Sequence, residues 1–223
     1  MKKRIVSLLL AAALLTGAAS AAGEEGAAEQ PDLDLSAASA VLMEKETGAL
    51  LYEKESHQQL EPASVTKVMT LLLIMEDLDS GRLSKEDLVT VSAAAAGMGG
   101  SQVYLKEGEQ LSAGELIKCI AVVSGNDAAV AMAEHLAGSE AAFVAEMNLR
   151  ARELGMADTN FVNCTGLPAQ GHLTSAHDIA LMSRELILNH PSIREYTTIW
   201  MDSIRDGAFG LTNTNRLVRF YQG

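Results

Sequence analysis

Ser64-Val65-Thr66-Lys67 sets a hydroxyl and an amine three residues apart, a spacing that brings both to one face of a helix. An isolated serine hydroxyl is a poor nucleophile. An amine of lowered pKa within hydrogen-bond reach can act as its base. A second polar group, Ser124-Gly125-Asn126, interrupts an apolar stretch. In a regular helix Ser124 and Asn126 would point to different faces, whereas in a turn between helices both can face one cleft. Asn126 offers an amide oxygen and two donors to a lysine ammonium or a substrate amide, and Ser124 can relay a proton. Each pattern also has a plain structural reading. The first can be a helix start with a solvated lysine, and the second a helix cap with a turn residue.

The elements that must position these groups are readable in outline. Ala38 to Lys54 reads as a β-hairpin, with Lys45-Glu46-Thr47-Gly48 as its loop. After Pro62, the run Val68 to Met75 is apolar all round, as expected of a helix buried in the domain centre, and Gly81 stops it. Ser64 and Lys67 then occupy the first turn of that helix, where free N–H groups favour developing negative charge. Leu88 to Val91 is a short strand candidate. Ser112-Ala113-Gly114-Glu115 is a capping box opening a helix through Val123. Past Ser124-Gly125-Asn126, a second helix, capped by Asn126 or Asp127, runs to Leu136. Ser139 caps a third, closed by Gly155, and Thr174 or Ser175 starts a fourth. A strand is expected from Tyr196 to Ile204, where the density of β-branched residues rises. The pattern is a hairpin followed by a helical block.

The N-terminus reads as a cleaved export signal over residues 1–22, with basic Lys2, Lys3 and Arg4, an apolar Ile5–Leu15 and small residues at Ala18 to Ala22. Residues 23–34 form an acidic linker and 35–223 the folded domain. Loss of the signal moves the formal charge from −12 to −15. A surface that acidic argues against nucleic acid or anionic lipid as partner. Cys119 and Cys164 are too few for a disulfide framework; export permits a bridge between them, but Cys119, in an apolar helical pattern, reads as a buried free thiol. The five histidines stand in no metal-ligand spacing, and no cofactor is expected.

Together the two polar groups match most of a known signature, S-x-x-K with S-D-N and K-T-G, shared by penicillin-binding proteins and class A β-lactamases. The flanks P-A-S-V-T-K-V-M-T and S-G-N-D-A-A-V-A-M-A resemble the serine-type D-alanyl-D-alanine carboxypeptidases of the S11 group, low-molecular-mass penicillin-binding proteins of bacteria. The resemblance continues in residues 99–105, 138–144, 163–168 and 172–180, and covers essentially all of the chain past the signal. It implies the α+β fold of β-lactamases and D,D-peptidases, a helical block beside an antiparallel sheet. It also implies an exported enzyme of the cell wall that removes the terminal D-alanine from peptidoglycan stem peptides and is trapped by β-lactam antibiotics. Ser64 would be the nucleophile and Lys67 its base. Ser124 would help protonate the leaving amine, and Asn126 would bind the peptide backbone and position Lys67.

One part of the signature is missing. No K-T-G or K-[ST]-G follows Asn126. The family carries that triplet on an edge strand, where its lysine meets the substrate carboxylate and a nearby N–H completes the oxyanion hole. The chain is therefore expected to be truncated before it, without the C-terminal sheet strands or any later membrane-binding segment. A catalytically incomplete fragment, or a penicillin- or peptidoglycan-binding remnant, is the alternative reading for this polypeptide. A serine β-lactamase is another, and Glu185-Leu186-Ile187-Leu188-Asn189 matches that class's E-x-x-L-N. Glu185, however, falls within the regular helical pattern from Asp178 to Leu188, so it is read as structural.

Overall fold

The structure, a computed structural model, describes residues 33–221. The export signal expected over 1–22, and nearly all of the linker over 23–34, lie outside the described residues.

The first hairpin pairs β1 (Ala40–Met43) with β2 (Leu50–Lys54), from Ala40 opposite Lys54 to Met43 opposite Leu50. A 3₁₀ turn, Ala63–Thr66, runs directly into α1 (Lys67–Asp79). Then come β3 (Leu88–Thr90), a short α2 (Ala93–Ala96), β4 (Gln110–Ser112), α3 (Ala113–Val123), α4 (Asn126–Ala137) and α5 (Glu140–Glu153). The chain continues through α6 (Ala176–Asn189), a 3₁₀ turn at Pro191–Ile193 and α7 (Arg194–Thr197). A last hairpin, β5 (Met201–Ile204) with β6 (Phe209–Thr212), precedes α8 (Leu217–Phe220).

The expected helical block is present, but the antiparallel component is three separate two-stranded ribbons, β1–β2, β3–β4 and β5–β6. A lone ribbon is marginal in water. Each is accordingly tied to a helix: α6 packs on β1, α4 on β3 and α3 on β6. Strands β4 and β6 were not anticipated because three or four residues carry too little alternation. Each sends one residue inward, Leu111 and Leu211, into the common core.

Two helices share the centre. On α1, Met69, Leu72, Ile74 and Met75 are fully buried, as its all-round apolar pattern predicts. On α4, every residue from Ala128 to Ala133 is buried. Alanine gives this helix no periodic signal, yet its small side chain lets α1, α3 and α5 all pack closely against it.

Local signals set most helix starts. Ser112 and Glu115 form the expected capping box, while Ser139 and Ser175 accept from Ala142 N and Asp178 N. Two expectations need correcting. The first turn of α4 is capped by neither Asn126 nor Asp127; Gly125 is its N-cap residue. The Asn126 N–H instead donates to Ser101 O at 2.7 Å, and the buried Asp127 carboxylate accepts from Val103 N and Leu105 N, both at 3.0 Å. Of the first-turn donors, the Asn126 N–H is thus taken by a distant loop, while the Ala128 N–H donates to the Asp127 carboxylate at 2.9 Å. The strand expected from Tyr196 starts only at Met201, because Pro191 opens a helical turn that carries Tyr196 into the core against α3.

Candidate active site

Ser64 sits in the 3₁₀ turn and Lys67 is the first residue of α1, so the junction holds the two side chains on one side. Lys67 Nζ lies 3.4 Å from Ser64 Oγ and donates to Thr165 O at 2.8 Å. Ser64 is exposed while Lys67 is only 3% exposed. Burial penalises the ammonium and pulls its pKa down from 10.5 to about 8. A buried amine of that pKa, in reach of an exposed hydroxyl, is the arrangement that general-base activation requires.

The turn carries backbone strain beside Ser64. Ala63 has φ +45°, a left-handed conformation uncommon for a residue with a side chain. The Ser64 N–H enters no hydrogen bond among the described residues, which leaves it free to meet an oxyanion.

The segment from Asn163 to His172 supports the junction from behind. The Thr70 hydroxyl donates to Cys164 O at 2.7 Å. Val162 N–H donates to His172 Nδ1 at 2.9 Å, which leaves the ring proton on Nε2 facing Thr66 Oγ1 at 2.8 Å. Burial pushes the His172 pKa down, in keeping with a neutral ring. Sequence reasoning placed none of these three partners at the site. The signal that could have found them was N-x-x-G at 163–166, an Asx-type turn in which Asn163 Oδ1 accepts from Thr165 N and Gly166 N.

Ser124 closes α3 in the left-handed region, φ +58° and ψ +38°, a position that usually takes glycine. Its hydroxyl makes no hydrogen bond among the described residues. Ser124→Gly is therefore expected to stabilise the fold by about 1 kcal/mol, the cost of holding a β-carbon there. In a chain of this size that is a rise of about 2–4 °C in the unfolding midpoint by scanning calorimetry. A fall in the midpoint would show that the hydroxyl itself holds the turn.

Asn126 is 3% exposed, and its amide donates to Gly99 O at 2.7 Å. Its Oδ1 is buried with no partner. No hydrogen bond joins Asn126 to Lys67 among the described residues. The two motifs meet through a loop instead. The position a side chain would take on Gly100 is 2.8 Å from Asn126 Nδ2 and 3.6 Å from Leu167, which follows the turn behind Ser64. A buried acceptor without a partner is costly unless something donates to it, and a peptide N–H is a donor of the required kind.

Glu185 has a structural partner. It lies within α6 and accepts from Arg150 Nη2 at 2.7 Å, while Arg150 Nε donates to Glu76 at 2.7 Å. Cys119 and Cys164 are both buried free thiols. Among the described residues no helix is long and apolar enough to cross a membrane.

The family model described as D-alanyl-D-alanine carboxypeptidase, peptidase S11, matches residues 24–222. The chain is 48% identical over 226 residues to D-alanyl-D-alanine carboxypeptidase DacF of Bacillus subtilis, covering all of this chain and 58% of that protein. It is 39% identical over 168 residues to DacA of Escherichia coli, covering 73% of this chain and 41% of that one. Among solved structures, penicillin binding protein 6B from Escherichia coli superposes with a TM-score of 0.81 at 35% identity, over 86% of this chain and 62% of that one. Penicillin-Binding Protein D2 from Listeria monocytogenes, in its ampicillin-bound form, gives 0.76 at 32% identity, over 86% and 78%. The chain spans about half the length of the curated relatives it matches.

Proposed function

Because the chain belongs to the D-alanyl-D-alanine carboxypeptidase family, we propose that its Ser64–Lys67 pair belongs to an exported serine D,D-carboxypeptidase, acting on peptidoglycan stem peptides that end in D-Ala-D-Ala. The observation that carries this reading is the buried Lys67 amine, pulled down to about 8 and 3.4 Å from an exposed serine hydroxyl.

Chemistry follows from the positions of the groups. Ser64 Oγ attacks the carbonyl between the two D-alanines while its proton passes to Lys67 Nζ. The Ser64 N–H donates to the oxyanion that forms. The Thr165 carbonyl holds the Lys67 ammonium while the tetrahedral intermediate lasts. Collapse of that intermediate breaks the peptide bond, and D-alanine leaves as its amine takes a proton, for which Ser124 is the relay. The orphaned Asn126 Oδ1 accepts a substrate peptide N–H, which satisfies the one buried side-chain acceptor left without a partner among the described residues. Water then attacks the acyl-enzyme, gives its proton to Lys67 and frees Ser64. A β-lactam is attacked at the same hydroxyl, but its leaving group stays tethered, so the ester persists. No step calls for a metal or organic cofactor. The acidic chain fits a small peptide substrate better than a polyanion.

Release of D-alanine from a synthetic peptide ending in D-Ala-D-Ala tests this reading. Free D-alanine is expected from that peptide and not from its L-Ala-L-Ala counterpart. Equal hydrolysis of both, or of neither, would overturn it.

A further inference from the structure

Gly166 makes the closest backbone approach of any glycine among the described residues. A methyl group on it would stand 1.7 Å from the Ala63 carbonyl oxygen, 2.3 Å from the Ala63 carbonyl carbon and 2.9 Å from Ser64 N. Contacts below 3.0 Å with backbone cannot be relieved by a rotating side chain. One of the two strands of chain would have to move by more than an ångström. The peptide that Gly166 presses against joins the left-handed Ala63 to the nucleophile. The residue beside Gly166 supplies the carbonyl that holds Lys67 Nζ.

We propose that Gly166 is a positioning residue for the acylation step: its bare α-carbon lets the 163–168 turn lie flat on the Ala63–Ser64 peptide. That contact fixes the direction of the Ser64 N–H and, through Thr165 O, the distance from Lys67 Nζ to Ser64 Oγ. The inference rests on the roles of Ser64 and Lys67 proposed above. Two further observations point the same way. Asn163 spends both ends of its amide on this turn, Oδ1 accepting from Thr165 N at 3.1 Å and Gly166 N at 2.7 Å, and Nδ2 donating to Leu167 O at 2.8 Å. The His172–Thr66 and Cys164–Thr70 hydrogen bonds hold the same segment against the same junction on either side of the contact. A turn clamped at both flanks cannot swing away to admit a β-carbon, so the nucleophile turn must yield instead.

The chain contains its own control. Gly171 has φ +81°, close to the +86° of Gly166, but a methyl group there meets nothing nearer than Asn160 Nδ2 at 3.8 Å. Gly171→Ala therefore carries the same left-handed strain without the collision. Misplacing reacting groups by about 1 Å can cost on the order of 10²-fold in rate.

The experiment compares wild type, Gly166→Ala, Gly171→Ala and Asn163→Ala in two measurements. The first is the rate of covalent labelling by a fluorescent penicillin. The second is the apparent pKa of Lys67, read by competitive acetylation with acetic anhydride and mass spectrometry of the Lys67 peptide. Gly166→Ala is expected to slow labelling about 100-fold or more and to raise the Lys67 pKa from near 8, as water entering the displaced turn relieves the desolvation of the ammonium and takes the place of its carbonyl acceptor. Gly171→Ala is expected to stay within about threefold of wild type in rate, with Lys67 unshifted. Wild-type labelling by Gly166→Ala, or equal damage from Gly171→Ala, overturns the inference. If Gly166→Ala does not fold, Asn163→Ala loosens the same turn without added bulk. A roughly tenfold loss of rate is then expected, and an unchanged rate overturns the inference. Absence of labelling in wild type would instead strike the proposed function. The Lys67 pKa still decides the inference in that case, since an unshifted value in the Gly166→Ala and Asn163→Ala proteins overturns it.

Discussion

Ser64→Ala is expected to abolish covalent labelling by a fluorescent penicillin and release of D-alanine from a D-Ala-D-Ala peptide, with the fold intact. In the proposed mechanism the hydroxyl is the atom that enters the acyl bond, so no covalent adduct at this position is expected without it. Loss of a nucleophile removes the acyl-enzyme route altogether, and the remaining binding contacts supply no substitute. The structural cost is small, because Ser64 is exposed and, among the described residues, its Oγ takes part in a single long hydrogen bond of 3.4 Å from Lys67. An unfolding midpoint within about 2 °C of wild type would confirm that the lost labelling is chemical. Labelling that persists in the variant, localised by mass spectrometry to another residue such as Ser124, would show that the nucleophile is elsewhere.

Lys67→Ala is expected to slow acylation by roughly 10³-fold or more, in line with losing both a general base and the hydrogen bond that aims the hydroxyl. The pH profile carries the finer test. With a pKa of about 8, roughly one-tenth of the amine is neutral at pH 7, and that fraction is the competent one. The wild-type acylation rate should therefore climb with pH through about 8 and level off above it, and the variant's residual rate should lack that step. The same shift makes a stability statement of known sign. The folded pKa lies below the unfolded value of 10.5, so between about 8 and 10.5 the unfolded chain binds more protons and stability rises with pH. Below about 8 the buried ammonium costs the fold about 3 kcal/mol. Lys67→Met keeps the bulk and removes the charge. It leaves Thr165 O without its donor, a cost of about 1–3 kcal/mol that offsets the gain. The variant should therefore melt near wild type at pH 7 while failing to acylate. A flat wild-type pH profile between 6 and 10, or wild-type acylation by Lys67→Met, would remove Lys67 from the base role.

The two central motifs differ in how they use strain. Ala63, just before Ser64, and Ser124, at the break between α3 and α4, both hold positive φ values that glycine would adopt at less cost. Ser124 cannot become glycine without losing its hydroxyl, the group proposed as the proton relay. Ala63 is held differently, by the turn at Gly166 pressed against its carbonyl.

What was legible in the sequence followed the range of the interaction responsible. The first hairpin, the capping box at Ser112 and Glu115, the serine caps of α5 and α6 and the Ser64–Lys67 pair all depend on residues within a few positions of one another. Local spacing encodes such contacts directly. The start of α4, the ribbons closed by β4 and β6, and the helical course of Tyr196 were missed or misread. In each, a distant partner overrides a weak local preference: Ser101 for Asn126, and the common core for Leu111, Leu211 and Tyr196.

The same division runs through the site. By itself the sequence determined the chemical groups, a serine with a lysine one helical turn on and a serine with an asparagine at a helix break, along with the family signature in which they stand. Only the tertiary structure decided how they are tuned. Lys67 can serve as a base because burial raises the fraction of its amine that is neutral near pH 7, and that amine is aimed by a carbonyl 98 residues away. The neutral His172 ring behind Thr66 lies 106 residues from its partner. A pKa set by desolvation, and a turn held by contact with a bare α-carbon, are properties of what packs around a residue. Neighbours brought together by the fold leave no mark on the spacing of the residues they act upon.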